Sequence, residues 1–214
     1  MVGAPPTVPL PRPPLDPGDP GRRLRLYYEN DLGWPTVPGP PLGLVVGPRF
    51  DVLDVPAEAG RAALRHLAPS SPVAVQGDRM RLLVAPGSAE ELPGLLEWLE
   101  WGALLPELDL TVVGAGGGAD EAAGAGAGAV MEAPGAPERG EGDARGGLPQ
   151  GAAVWLRPPS PGCEVEASLP TLSAVGGAGG AGRAPDLVRL VDTVAAACHR
   201  VRLRRARAQA LAFS

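Results

Sequence analysis

The sequence predicts an α+β protein in which helices pack on a mixed β-sheet. Short Val- and Leu-rich runs alternate along the chain with amphipathic helical patterns, as in a sheet covered by helices. With 214 residues and 44% hydrophobic content, the chain can bury one core of ordinary size. The 31 Gly and 27 Pro residues nevertheless make up more than a quarter of the chain, so part of it is expected to stay outside that core.

Two tracts are predicted to be disordered. Residues 1–19 carry proline at nearly every second or third position, which favours an extended leader. Residues 114–150 are rich in Gly, Ala and acidic residues, with too few large side chains to order a linker. The single α+β domain is therefore predicted to comprise residues 20–113 and 151–208, followed by a tail at 209–214.

The first helix is predicted between Asp19, as its N-cap, and Gly33, just past its end. Pro20 fits the first helical position, where its missing N–H costs nothing. The Val and Leu content of residues 43–47 and 50–55 then predicts two strands.

The middle of the chain is predicted to form a helix and a hairpin. Residues 57–68 have an amphipathic helical pattern. Residues 73–76 and 80–85 read as strands around a Gly77-Asp78 turn, which is a strong hairpin signal.

A helix from Ser88 to Trp101 is predicted from the capping box that Ser88 forms with Glu91, with a kink in its first turn at Pro93. The remaining predicted elements are strands at 108–113 and 152–156 and a long helix that starts at 185–186.

The segments YYENDLGWPTVPG, Tyr27 to Gly39, and FDVLDVP, Phe50 to Pro56, resemble the opening of the bifunctional DNA primase/polymerase N-terminal domain. That domain begins with a Tyr-bearing helix and Gly-Trp-Pro-x-x-Pro, and a later strand carries Asp-x-Asp. GAAVWLRPP, Gly151 to Pro159, is more loosely similar to a late strand of the domain. The pattern also resembles short actinobacterial (Streptomyces-like) proteins that keep the domain's outline without its carboxylates. The Gly33-Trp34-Pro35 element also has a structural interpretation, with Trp34 filling the core below the first helix.

The resemblance implies a metal-dependent nucleotidyl-transfer site, but this chain departs from it twice. Pro56 stands where the second metal-binding carboxylate is expected, and no His occurs around residues 77–80, where the family's His aligns. Asp51 and Asp54 are three residues apart on a strand, so they should point to opposite faces and cannot share a metal. No catalytic residue is therefore predicted, and Asp54 is a vestigial candidate. The sequence favours a non-catalytic, primase/polymerase-like binding or interaction module; the alternative is a weak nucleotide-binding or nucleotidyl-transfer protein.

Other chemistries are excluded or disfavoured. The chain has no Lys, which excludes phosphate-loop, kinase and pyridoxal-phosphate mechanisms. Gly114 to Ala119 matches a dinucleotide fingerprint only formally, because no helix or strand pattern follows it. His66, His199, Cys163 and Cys198 lack zinc-ligand spacing, so neither a cofactor nor a metal is predicted.

Two surfaces are candidates for contact with a partner. On the last helix four arginines fall within about 60° of each other, opposite the apolar stripe: Arg189, Arg200, Arg204 and Arg207. They fit a solvated face balanced by the acidic helix at 90–100, weak nonspecific contacts with nucleic-acid phosphates, or an acidic protein partner. Trp101 lies about 180° from the core face of its predicted helix, so it either is exposed and offers a second partner surface or packs against the linker or another helix.

The sequence also predicts a cytoplasmic protein. It has only two Cys residues and no CxxC, and its N-terminus has no signal region. No apolar run is long enough to predict a membrane contact. The absence of Lys and Ile and the single Asn are typical of a high-GC genome, as in actinobacteria.

Overall fold

The protein is described by a computed structural model that covers residues 20–115, 129–136, 151–161, 165–172 and 185–212. The predicted leader and most of the predicted 114–150 linker lie outside these residues, as does Cys163. The predicted α+β class is confirmed, because helices pack on two antiparallel sheets. No helix in the described part of the chain is long and apolar enough to cross a membrane.

The helices of the described residues are α1 (Pro20–Leu26), α2 (Ala57–Ala63), α3 (Ser88–Trp98) and α4 (Leu187–Ala212). A π-helical turn at Tyr27–Asp31 continues α1, and 3-10 turns lie at Leu64–His66, Gly102–Glu107 and Val165–Ser168. The strands are β1 (Thr36–Val37), β2 (Gly43–Val45), β3 (Asp51–Pro56), β4 (Val73–Gln76), β5 (Arg79–Val84), β6 (Thr111–Val113), β7 (Val130–Glu132) and β8 (Val154–Arg157).

The strands form a large sheet in the order β6-β3-β5-β4-β8 and a small sheet in the order β1-β2-β7. The prediction of a mixed sheet is wrong for these strands, because every ladder between them is antiparallel. A strand–helix–strand order such as β3-α2-β4 favours parallel neighbours. Here β5 lies between β3 and β4 and pairs with both, which makes each contact antiparallel.

Each face of the large sheet packs against a core. Successive side chains of a strand point to opposite sides, so neighbouring residues of β3 enter different cores. Leu53 and Val55 of β3 belong to a core that contains the apolar faces of α2, α3 and α4. Val52 belongs to a second core together with Trp34 and Leu44. The sheet therefore separates a helical layer from a layer built by the π turn and the small sheet.

Trp34 lies in the second core, as predicted, and is 2% exposed. Gly33 has a φ of 67°, a left-handed conformation that ends the helical segment at little cost for a glycine. The backbone N–H of Trp34 then donates to the carbonyl of Tyr28. Trp34 packs against the rings of Tyr28, Phe50 and Trp155.

Residues 129–136 contradict the prediction that the whole of 114–150 is a disordered linker. β7 pairs with β2 over three residues, and Met131 is 5% exposed in the second core. The hydroxyl of Tyr28 donates to the carbonyl of Pro134 at 2.6 Å. This short segment is ordered because the second core and the edge of β2 supply partners that its own sequence lacks.

Helix α3 does not use the predicted capping box. Gly87 is the N-cap residue, and Ser88 is the first helical residue. The cap comes from another element, because the backbone N–H of Ala89 donates to Oδ2 of Asp51 on β3 at 2.9 Å. At the last helix, the carboxylate of Asp186 accepts from the N–H of Val188, so the start predicted at 185–186 is confirmed.

Candidate functional site

Asp51 and Asp54 point to opposite faces of the large sheet, as their spacing predicts. Asp51 is 1% exposed and lies on the helical side, where it caps α3. Burial raises the pKa of its carboxyl, partly offset by the hydrogen bond from Ala89. Its Oδ1 has no hydrogen-bond partner among the described residues. Asp51 therefore stabilises the fold. Asp54 is the carboxylate of β3 that remains as a candidate for the metal-binding position implied by the resemblance.

Asp54 is held between two arginines of the neighbouring strand. In the β3–β5 register Asp54 lies opposite Arg81, and Pro56 lies opposite Arg79. Nε of Arg79 donates to Oδ1 of Asp54 at 2.6 Å, and Nε of Arg81 donates to Oδ2 at 3.2 Å. Nη2 of Arg79 also donates to the backbone carbonyl of Asp54 at 3.0 Å. Both carboxylate oxygens are thus occupied by cations of the chain itself.

These contacts are partly shielded from water. The side chains of Asp54, Arg79 and Arg81 are 19%, 26% and 18% exposed. Charge-assisted hydrogen bonds in such an environment are stronger than those on an open surface. Arg79 occupies the segment after the Gly77-Asp78 turn, where the resemblance places a His. Its guanidinium also binds Oδ1 of Asp109 at 2.5 Å.

The residues around Asp54 do not fit the divalent metals that the resemblance implies. A cation would have to displace two guanidinium groups, and Pro56, the next residue on the same side of β3, offers no ligand. In the described ranges, no group of three or more His, Cys, Asp or Glu side chains is arranged to hold a metal ion. Cys198 is a buried thiol in the helical core, and burial raises its pKa to about 12.

The four arginines predicted as a basic ridge are not equivalent. Arg204 pairs with Glu58 of α2 at 2.5 Å, and Arg189 pairs with Asp186 at 3.5 Å. Arg200 and Arg207 have no acidic partner among the described residues. The acids that balance the ridge thus come from α2 and the start of α4, whereas the sequence pointed to the acidic helix α3.

Two further arginines fix the end of α4 to the rest of the protein. Arg202 pairs with Glu107, and Arg205 binds Oδ2 of Asp109 at 3.4 Å and lies 3.9 Å from Asp78. Their spacing places them on the buried side of the helix, beyond the last core residue. Sequence reasoning did not include them in the ridge.

Trp101 packs against another helix, which was one of its two predicted placements, and does not form an exposed partner surface. The ring is partly buried, its Nε1 donates to Asp192 of α4 at 3.1 Å, and it lies beside the ring of His199. Helix α3 ends before this residue, since Glu100 adopts a left-handed φ of 65°. The N–H groups of Glu100 and Trp101 donate to the carbonyls of Glu97 and Leu96, which is a Schellman turn.

The Schellman turn directs Trp101 onto α4 and leaves a different tryptophan exposed. Trp98, in the last turn of α3, is 72% exposed. A helix that is assumed to continue to Trp101 does not show that Trp98 is the exposed tryptophan, because the chain reverses direction at Glu100.

Comparisons of this chain with protein-family models, with curated proteins and with solved structures found no match.

Proposed function

We propose that this protein is a non-catalytic binding or interaction module with a primase/polymerase-like fold. The observation that carries the proposal is the occupation of both Asp54 oxygens by Arg79 and Arg81. A nucleotidyl-transfer site of the two-metal kind needs carboxylates that are free to clamp cations. In this chain the corresponding carboxylate, that of Asp54, is bound by arginines of the protein itself.

The cost of a metal at Asp54 supports this proposal. Binding a cation would leave the partly buried Arg81 without an acidic partner and Arg79 with Asp109 alone, and breaking partly buried ion pairs is unfavourable. Pro56 cannot contribute a ligand, and in the described residues Asp54 belongs to no group of three or more His, Cys, Asp or Glu side chains that could hold a metal ion. Divalent cations with oxygen ligands are held by several such groups together.

The alternative is a protein that binds nucleotides or retains weak nucleotidyl transfer around Asp54. The two functions differ in their response to Mn²⁺ together with a nucleoside triphosphate. A specific complex at about 100 times its Kd would raise the free energy of unfolding by about 2.7 kcal/mol. For a domain of this size, that corresponds to a shift of roughly 5 to 10 °C in Tm.

The experiment is a thermal unfolding series with Mn²⁺, with nucleotide and with both, on the parent chain and on Asp54→Asn. We expect equal Tm values in all ligand conditions for the parent chain. A rise that requires both ligands and disappears in Asp54→Asn would establish the alternative. Asp54→Asn itself is expected to lower Tm without ligand, because it weakens the contacts with Arg79 and Arg81.

A further inference from the structure

The outer side of α3 carries an exposed aromatic ring among acidic side chains. Trp98 is 72% exposed. We call Trp98 and the exposed glutamates around it the α3 surface: Glu90, Glu91, Glu97 and Glu100. None of these glutamates forms an ion pair within the described residues. Next to the ring, a side chain at Gly94 would meet no atom within 4 Å, so the surface around Trp98 is open.

The end of α4 offers the opposite charge. Residues 202–209 are all exposed, so the last turns of the helix extend past the core. Leu203 is 46% exposed and lies between arginines on the outer side of the helix. We call Arg200, Leu203, Arg204 and Arg207 the α4 ridge. Arg200 and Arg207 are its cations without an acidic partner in the described part of the chain.

The two surfaces lie on neighbouring helices of the same protein and do not neutralise each other. Helices α3 and α4 meet where Trp101 binds Asp192 and packs beside His199, one residue before Arg200. No glutamate of the α3 surface reaches an arginine of the α4 ridge in the described residues. Complementary charges therefore remain available for an intermolecular contact.

We infer that the α3 surface of one copy binds the α4 ridge of a second copy, in a two-fold dimer with two equivalent contacts. This inference rests on the proposed role as an interaction module and names its partner. In a two-fold dimer each copy presents both surfaces, so every complementary pair forms twice. Trp98 packs against Leu203 and a guanidinium group of the partner copy, and the glutamates pair with the unpaired arginines.

Other partners of the α4 ridge would account for only one of the two surfaces. An acidic protein would use the arginines and leave Trp98 exposed. A nucleic acid would be repelled by the four glutamates of the adjacent α3 surface. A second copy satisfies both surfaces at once.

The dimer is expected to be weak and sensitive to salt. Exposed ion pairs each contribute little to binding, and salt screens them. Burial of the Trp98 ring supplies the salt-independent part of each contact. We expect sedimentation velocity to show a mass that rises toward the dimer between about 10 µM and 1 mM protein at low salt, corresponding to a Kd of about 100 µM.

A charge swap tests the contact directly. Arg200→Glu/Arg207→Glu places acids opposite the acidic α3 surface, and Glu91→Arg/Glu97→Arg places cations opposite the α4 ridge. Each variant alone is expected to be monomeric. In an equimolar mixture both contacts regain opposite charges, and the mixture is expected to recover the dimer. Monomers in the mixture and in the parent chain throughout the concentration range would overturn the inference.

Two controls guard against loss of the fold or of net charge. Arg22→Glu/Arg23→Glu makes the same charge change on exposed residues of α1, and it is expected to dimerise like the parent. Trp98→Ala removes an exposed ring, and we expect unchanged Tm with at least tenfold weaker association. A parent dimer that neither the swap variants nor Trp98→Ala weakens would also contradict the inference, because the interface would then lie elsewhere. A monomeric parent leaves the metal and nucleotide test of the proposed function unaffected.

Discussion

Replacing Trp34 by Ala tests whether the second core depends on the aromatic cluster. Trp34 is 2% exposed, its ring centroid lies 4.7 Å from that of Phe50, and its ring stacks on Tyr28 at 6.1 Å. Truncating a buried Trp costs about 3 to 5 kcal/mol. This is a large part of the roughly 5 to 15 kcal/mol that stabilises an ordinary domain. We expect Tm to fall by about 6 to 20 °C.

The assay is thermal and urea unfolding followed by far-UV circular dichroism. Trp98→Ala is the matched control, because the same side-chain change on a ring that is 72% exposed should shift the free energy of unfolding by less than about 0.5 kcal/mol. Trp34→Phe should fall between the two, since it keeps part of the ring packing. Equal Tm values for Trp34→Ala and Trp98→Ala would refute the assignment of Trp34 to the core.

Three further predictions follow from the same geometry. Met131→Ala should destabilise the protein by about 2 kcal/mol in urea unfolding, whereas Val130→Ala, at an exposed position of the same strand, should change little; equal effects would mean that β7 is not packed. Glu100→Gly should stabilise the protein by about 1 kcal/mol, because glycine adopts a left-handed φ without strain; a loss of stability would contradict the Schellman turn. Of Arg189, Arg200, Arg204 and Arg207, only Arg200 and Arg207 lack acidic partners among the described residues, so duplex DNA should bind weakly, with a log–log salt slope no steeper than about −1.8 in fluorescence anisotropy; a slope near −3.6 would mean that all four of these arginines contact phosphates.

The elements that the sequence predicted well are those with local signals. The Gly77-Asp78 turn joins β4 and β5, and strand β4 has the predicted bounds of 73–76. Gly33 ends the first helical segment, and Trp34 is buried below it. Each of these features depends on residues close in sequence, whose backbone preferences are known.

The features that the sequence missed depend on distant contacts. β7 lies in a Gly- and Ala-rich tract and is ordered by β2 and Tyr28. The cap of α3 comes from Asp51, which is 38 residues away from Ala89. Neither partner can be recognised from the local composition.

The candidate site shows the same division. The opposite orientations of Asp51 and Asp54 follow from the strand period alone. The clamp by Arg79 and Arg81 requires the register between β3 and β5, which no short-range pattern sets, because α2 and β4 separate these strands in the chain. A correct register would have revealed the clamp, because it places Arg81 directly opposite Asp54 and Arg79 opposite Pro56.

Mn²⁺ binding measured by the EPR signal of the free ion, on the parent chain and on Asp54→Asn, tests the central claim most directly. The claim is that Arg79 and Arg81 occupy the Asp54 carboxylate and leave no metal site. We predict that both proteins leave the same fraction of Mn²⁺ free, with or without nucleotide. A stoichiometric loss of free Mn²⁺ in the parent chain that Asp54→Asn abolishes would contradict the claim.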